Sequence, residues 1–182
     1  MIDPPGSTSP RFPDSARDRA RDLIREKVRQ ELGRTQGDMV AIASGASGGD
    51  LLFHEVCEDL KIPHLLCLPL PADIFRNEAV SPAGRFWEDQ FDRLVKCYRS
   101  VPCLTKGTDL PRWLLDRPNY TSWQRANLWL IHETLALNGE HFTLMALWDG
   151  AKTEGIGGTY HMLTIAKDYG ASIVTIDTAE LV

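Results

Sequence analysis

Residues 42–55 read IASGASGGDLLFHE: an apolar approach, a run of small residues holding three glycines, then an apolar-rich stretch. The flanking segment DMVAIAS (38–44) suits a short buried strand, and DLLFHEVCEDL (50–60) changes to helical spacing with Leu51, Phe53 or His54, and Cys57. The order implied is strand, glycine loop, helix. Glycine permits positive φ and close backbone approach, and the free amides at the start of a helix favour an anion such as phosphate. Ser44, Gly45, Ala46, Ser47, Gly48, Gly49 and Asp50 are therefore candidate ligand contacts. The same glycines would also serve tight packing alone, since the loop matches neither the Walker pattern nor GxGxxG in full. Asp50 argues against a bare phosphate, because a carboxylate in the first turn competes for the same amides; a ribose hydroxyl or a helix cap are its other readings.

Outward from this loop the elements alternate. Residues 1–13 form a proline-marked irregular lead-in, and Ala20, Leu23, Ile24, Val28 and Leu32 predict a helix over about 15–33. After the helix at 50–60 come a strand at 64–70, a proline-marked turn, and a helix at 84–98 with Phe86, Phe91, Leu94 and Val95 inward. A short extended piece near SVPCL follows, then a helix at 119–137 burying Leu128, Leu130 or Ile131, and Leu135. A strand at 141–149, a helix at 157–170 and a strand at 171–177 complete the chain. Nearly continuous apolar strands alternating with helices predict an α/β three-layer sandwich on a mainly parallel sheet of about five strands. The length of 182 residues suits a single domain.

In such sheets ligands sit beyond the carboxyl ends of the strands. A second glycine-rich loop, DGAKTEGIGGT (149–159), leaves a strand at that edge and adds Asp149, Gly157, Gly158 and Thr159 to the candidates. Asp149 could bind ribose or turn the chain with Gly150, and Trp148 could stack on a base or pack. In the helix between, Asn127 shares a face with Trp123 and Leu130, so its amide needs either a ligand or a backbone carbonyl as partner. Gln124 could reach a ligand or a neighbouring loop, and Arg125 reads as solvent-facing, with a phosphate clamp as the other option. His54 and His161 read as lone structural histidines, without metal-ligand spacing.

Composition removes several classes of function. No apolar run approaches the roughly 20 residues that span a bilayer, and the start lacks a signal peptide's apolar core. The four cysteines, at 57, 67, 97 and 103, lack zinc-site spacing. The net charge of -5, without a basic block, argues against nucleic acid as partner. The expectation is a cytoplasmic protein with reduced thiols, no metal and no fixed cofactor.

Three segments together, IASGASGGDLLFHEVC, YTSWQRANLWLIHETLA and ALWDG followed by GIGGTYHM, resemble a Rossmann-like sensor domain. That domain is attached to tetratricopeptide repeats in bacterial signalling and conflict proteins and belongs to the SLOG superfamily. The superfamily also holds the LOG phosphoribohydrolases and DprA-like proteins. The resemblance covers most of the chain and implies a nucleotide or NAD-derived ligand in two phosphate loops, 44–50 and 157–159. It also implies a regulatory role beside an effector or tetratricopeptide-repeat module, with a homo-oligomer left open. Two departures stand out. The LOG enzymes carry PGGxGTxxE, whereas GIGGTYHM lacks the proline and has Met162 at the glutamate, so the hydrolytic acid or base is missing. Hydrolysis of the N-glycosidic bond of a nucleotide or NAD would have to use Asp50, His54, Glu55 or Asp149 instead. Related domains also begin with an extra strand before the segment like MIDPPG, which leaves open a fragment, a late start, or a variant sheet.

Overall fold

The computed structural model describes residues 1, 6, 12–35, 37–105, 120–152 and 157–181. Helix α1 (Arg17–Arg34) forms where expected and turns Ala20, Leu23, Ile24 and Val28 into the core. Strand β1 (Ala41–Ala43) leads through the first glycine turn into α2 (Gly49–Asp59), whose Leu51, Leu52, Val56 and Cys57 are buried. Helix α1 packs along α2, and Arg21–Glu55 (3.3 Å) and Arg25–Asp59 (2.6 Å) bridge their outer edge. Exposed pairs of this kind stabilise by about 0–1 kcal/mol each, so apolar burial does most of the joining.

Strand β2 (His64–Leu66) runs parallel to β1, pairing Ala41 with His64 and Ala43 with Leu66. Pro63 and Pro69, which cannot donate to a ladder, flank it and explain why only three residues of the expected 64–70 strand pair regularly. Beyond β2, Leu68 forms an isolated parallel bridge with Cys103, so the extended SVPCL piece does lie alongside this strand. Strand β3 (Thr143–Trp148) is parallel to β4 (Ser172–Asp177) over all six residues, from Thr143–Ser172 to Trp148–Asp177. The protein is thus mixed α/β with parallel strands. Among the described residues the strands form two separate two-stranded sheets rather than one sheet of about five.

Three further details depart from the sequence reading. A short helix, α3 (Ala72–Ala79), stands where only a proline-marked turn is legible; Pro71 precedes it, and Phe75 and Ala79 bury one face at an i, i+4 interval. In α4 (Arg85–Lys96) the inner face is Trp87, Phe91 and Leu94, at i, i+4 and i+7, while Phe86 is 40% exposed beneath the Arg17 guanidinium. In α5 (Ser122–Ala136) Leu128 and Ile131 are buried as expected, but Leu135, a turn further on, is 41% exposed. That face meets α6 (Thr159–Asp168) through Ile165 and Ala166. No helix among the described residues is long and apolar enough to cross a membrane.

Candidate functional site

The first glycine turn is built from the inside. Gly48, with φ of +97°, carries the left-handed bend that starts α2. A Cβ on Gly45 would lie 3.0 Å from the Phe91 ring and 3.2 Å from Leu66, so its missing side chain makes room for the core. A Cβ on Gly49 would meet only Leu147 Cβ at 3.8 Å, an ordinary contact that puts the start of α2 against the end of β3. The buried Ser47 donates its amide to the Ala79 carbonyl at 3.0 Å, fastening the turn to the end of α3. Asp50 does not cap α2. Its Oδ2 accepts from the Ser44 hydroxyl and, at 3.3 Å, from the Ala46 amide, so the carboxylate folds back as an internal brace.

The second turn rests on α5. Gly157, at φ of +90°, is pressed so closely that a Cβ would fall 2.7 Å from Trp123 Cβ and 2.9 Å from the Gln124 nitrogen. Asn127 Nδ2 donates to the Gly157 carbonyl at 2.9 Å and lies 3.2 Å from His161 Nδ1; a backbone carbonyl supplies the partner its amide requires. Gln124 is engaged in a capping box with Thr121, accepting from the Thr121 amide at 3.0 Å. Gly158 precedes α6 without a side-chain cap, and Thr159 is the first residue of that helix. Asp149 Oδ1 accepts from the Ala151 amide at 2.9 Å, the turn-forming role. Trp148 donates its indole N–H to the Ala151 carbonyl at 3.0 Å and stacks on Tyr160, with ring centres 6.2 Å apart. Arg125 is buried at 3% exposure, not solvent-facing, and donates from Nε to the Tyr120 carbonyl. The 153–156 part of the second loop lies outside the described residues.

Contacts link the two turns. Gly157 presses on Trp123, the Trp123 ring lies 6.1 Å from Phe75, Phe75 stacks on Phe91 at 5.8 Å, and Phe91 backs Gly45. Helices α2, α4 and α6 each start at a glycine (Gly48, Gly84, Gly158) without a side-chain cap, and of these α2 and α6 follow strands, whereas α5 is fully capped. Uncapped first turns leave amide donors and the positive end of the helix dipole for other acceptors.

Beneath the first turn lies a polar network that sequence spacing misses. The 1%-exposed His54 places Nε2 3.0 Å from the Ser44 carbonyl and Nδ1 2.9 Å from His64 Nδ1. Tyr98 Oη is 2.8 Å from that same His64 nitrogen and donates to the His64 carbonyl at 3.0 Å. Because Ser44 offers only an acceptor, His54 carries its proton on Nε2. Its bare Nδ1 then requires an Nδ1 proton on His64. Burial, reinforced by His64, lowers the His54 pKa to about 4; burial also lowers His64 and pushes the Tyr98 hydroxyl up to about 12. The only hint in the sequence is that each residue is polar within an apolar stretch. Burial raises the Cys57 thiol to about 12 and Cys67 to about 11, which leaves both poor nucleophiles at neutral pH. Among the described residues no group of three or more metal-ligating side chains comes together.

No family model matches the chain, and no curated protein or solved structure matches it.

Proposed function

We propose that the protein binds a nucleotide or an NAD-derived small molecule across the turns at 44–50 and 157–159, as a regulatory module beside an effector or tetratricopeptide-repeat partner. The observation that carries this reading is that α2 and α6, unlike the equally glycine-headed and uncapped α4, each follow a parallel strand, and that their turns are linked through Trp123 of α5, Phe75 of α3 and Phe91 of α4. The two parallel strand pairs are read as halves of one Rossmann-like sheet, with the Cys103 bridge beside β2 and β1 next to β3. The approach of Gly49 to Leu147 supports that order.

The turns differ in what they offer. At the first, the Ala46 and Ser47 amides already have acceptors and a carboxylate stands among them, an environment for sugar hydroxyls rather than phosphate. The phosphate is therefore assigned to the second turn, at the start of α6. For N-glycosidic hydrolysis, Glu55 pairs with Arg21 on the outer face, His54 is buried, and Asp50 and Asp149 each brace their own turns, so the geometry favours none of the four as acid or base. Incubation with NAD, ADP-ribose and AMP, followed by chromatography and thermal melting, tests both readings. A ligand at 100 times its Kd stabilises by about 2.7 kcal/mol. Binding without product supports the regulatory module, released base or nicotinamide replaces it with a hydrolase, and no shift with any of the three overturns it.

A further inference from the structure

Strand β4 pairs with β3 along one side, and along the other it has no strand partner among the described residues. The Ser172 amide donates to the Phe142 carbonyl at 2.8 Å, and the parallel ladder continues unbroken from Thr143–Ser172 to Trp148–Asp177. Backbone groups alternate along a strand, so Ser172, Val174 and Ile176 turn theirs toward β3, whereas Ile173, Thr175 and Asp177 turn theirs away. Proteins blunt an open edge of this kind with proline, lysine or a bulge. The strand SIVTID has none of these, and its single charge, Asp177, stands at the end. The chain does blunt its pairing elsewhere: past β2, Pro69 and Pro102 accompany the lone Leu68–Cys103 bridge. The side chains of β4 point the same way. Ile173 packs on the cluster of Ile165 and Ala166, and Ile176 belongs to the main core, but the half-buried Val174 joins none of the buried clusters, and Thr175 is exposed.

We propose that the β4 edge is an interface between two copies of this chain, joined by antiparallel pairing of β4 with β4 about a twofold axis at Val174. In that register Val174 faces Val174 of the second copy, Ile173 exchanges N–H and C=O with Thr175 of the second copy, and Ser172 faces Ile176. Each Asp177 then lies opposite Ala171, so the two carboxylates sit at opposite ends of the pairing. A twofold axis at Thr175 would instead set Ile173 against Asp177, and that mismatch selects Val174. The edge is thus complementary to itself, as a closed dimer requires, and carries no like charges opposite each other. The interface needs no ligand and stands apart from the function proposed above.

Analytical ultracentrifugation and amide hydrogen exchange on the whole chain test it. A pair of six-residue strands is smaller than the roughly 1,200–2,000 Å² of stable interfaces, so the expected result is a reversible dimer with a Kd on the order of micromolar. In the dimer the Ile173 and Thr175 amides should exchange slowly and lose that protection on dilution, while Val174 and Ile176, bonded to β3, keep theirs. Val174→Lys and Val174→Glu should each be monomeric, because identical charges then face each other across the axis, and mixing the two variants should restore a dimer. Thr175→Pro removes one outward donor from each copy and leaves the β3 ladder intact, so it should weaken the dimer by more than about tenfold with an unchanged far-ultraviolet spectrum. A wild-type chain still monomeric at about 1 mM overturns the interface, whether or not a segment of another protein binds the edge. So does a dimer whose Ile173 and Thr175 amides exchange freely, or folded Lys and Glu variants that fail to pair when mixed. The exchange pattern needs no variant and decides the matter even where a substitution unfolds the chain.

Discussion

Asn127 and Gly157 are joined by one hydrogen bond, side-chain Nδ2 to carbonyl oxygen at 2.9 Å, across 30 residues of chain. The bond positions the glycine turn on the α5 surface at a place where φ is already positive and no side chain fits. A polar residue on an otherwise apolar helix face thus serves the backbone of a neighbouring loop. Asn127→Leu removes the donor and leaves the Gly157 carbonyl in a half-buried setting. We expect a loss of about 1–3 kcal/mol in urea unfolding, the range for a stranded buried partner. A loss below about 0.5 kcal/mol would mean that the turn holds its position without Asn127.

The glycines themselves separate packing from tolerance. Gly157→Ala combines a left-handed φ with an overlap at 2.7 Å against Trp123 and should cost about 2–4 kcal/mol, summing backbone strain and overpacking. Gly49→Ala, in the first turn of α2 with Leu147 at 3.8 Å and no positive φ, should be neutral or stabilise by up to about 1 kcal/mol. Paired thermal melts of the two variants decide the matter; equal destabilisation would contradict this account of both turns. The left-handed residue of the first turn is Gly48, so conformational strain is to be sought there and not at Gly49.

What the sequence disclosed follows the range of each physical effect. Helical periodicity is local, and α1, α2 and α6 lie near their expected bounds. Sheet pairing is not local: nothing in DMVAIAS shows that only Ala41–Ala43 will enter a ladder, or that β1 and β3 will belong to different paired sets. Face assignment fails where two aromatics adjoin, as at Phe86 and Trp87, because either fits the period and only the position of the neighbouring core selects Trp87. The candidate site divides the same way. The clustering of glycine in the two turns is legible from composition, but which of them are left-handed, Gly48 and Gly157, is not, and the partners of Asp50, Gln124, Asn127 and Asp149 are loop and cap groups that only folding brings near.

Acid should destabilise the fold as a whole. At pH 5 the unfolded His54 imidazole is mostly protonated, while the folded one, with a pKa of about 4, remains mostly neutral, so lowering pH favours the state that binds the extra proton. The His54 contribution is fully present above pH 6.5 and fades toward pH 4. It amounts to about 2 kcal/mol between pH 7.5 and 5 and about 3 kcal/mol by pH 4. The lowered pKa of His64 acts in the same direction. Guanidinium unfolding at several pH values, compared with His54→Gln, isolates this share, and a variant losing as much stability as the wild type would assign the effect to other groups.

Asp50→Asn tests the chemistry assigned to the first turn. The substitution keeps the size of the side chain and an oxygen able to accept from the Ser44 hydroxyl and the Ala46 amide, so the brace should survive and melting should shift little. What it removes is the negative charge. If the turn receives a phosphate, that charge is a repulsion, and its loss should tighten binding of AMP and inorganic phosphate alike. If the turn receives ribose hydroxyls, the loss weakens a charge-assisted hydrogen bond, and AMP binding should fall by about tenfold while inorganic phosphate, held at the second turn, is unaffected. The second result is expected, because the Ala46 and Ser47 amides that would cradle a phosphate already have protein acceptors. Calorimetry on the folded variant with the two ligands reads the difference directly, and tighter binding of both would move the phosphate to residues 44–50.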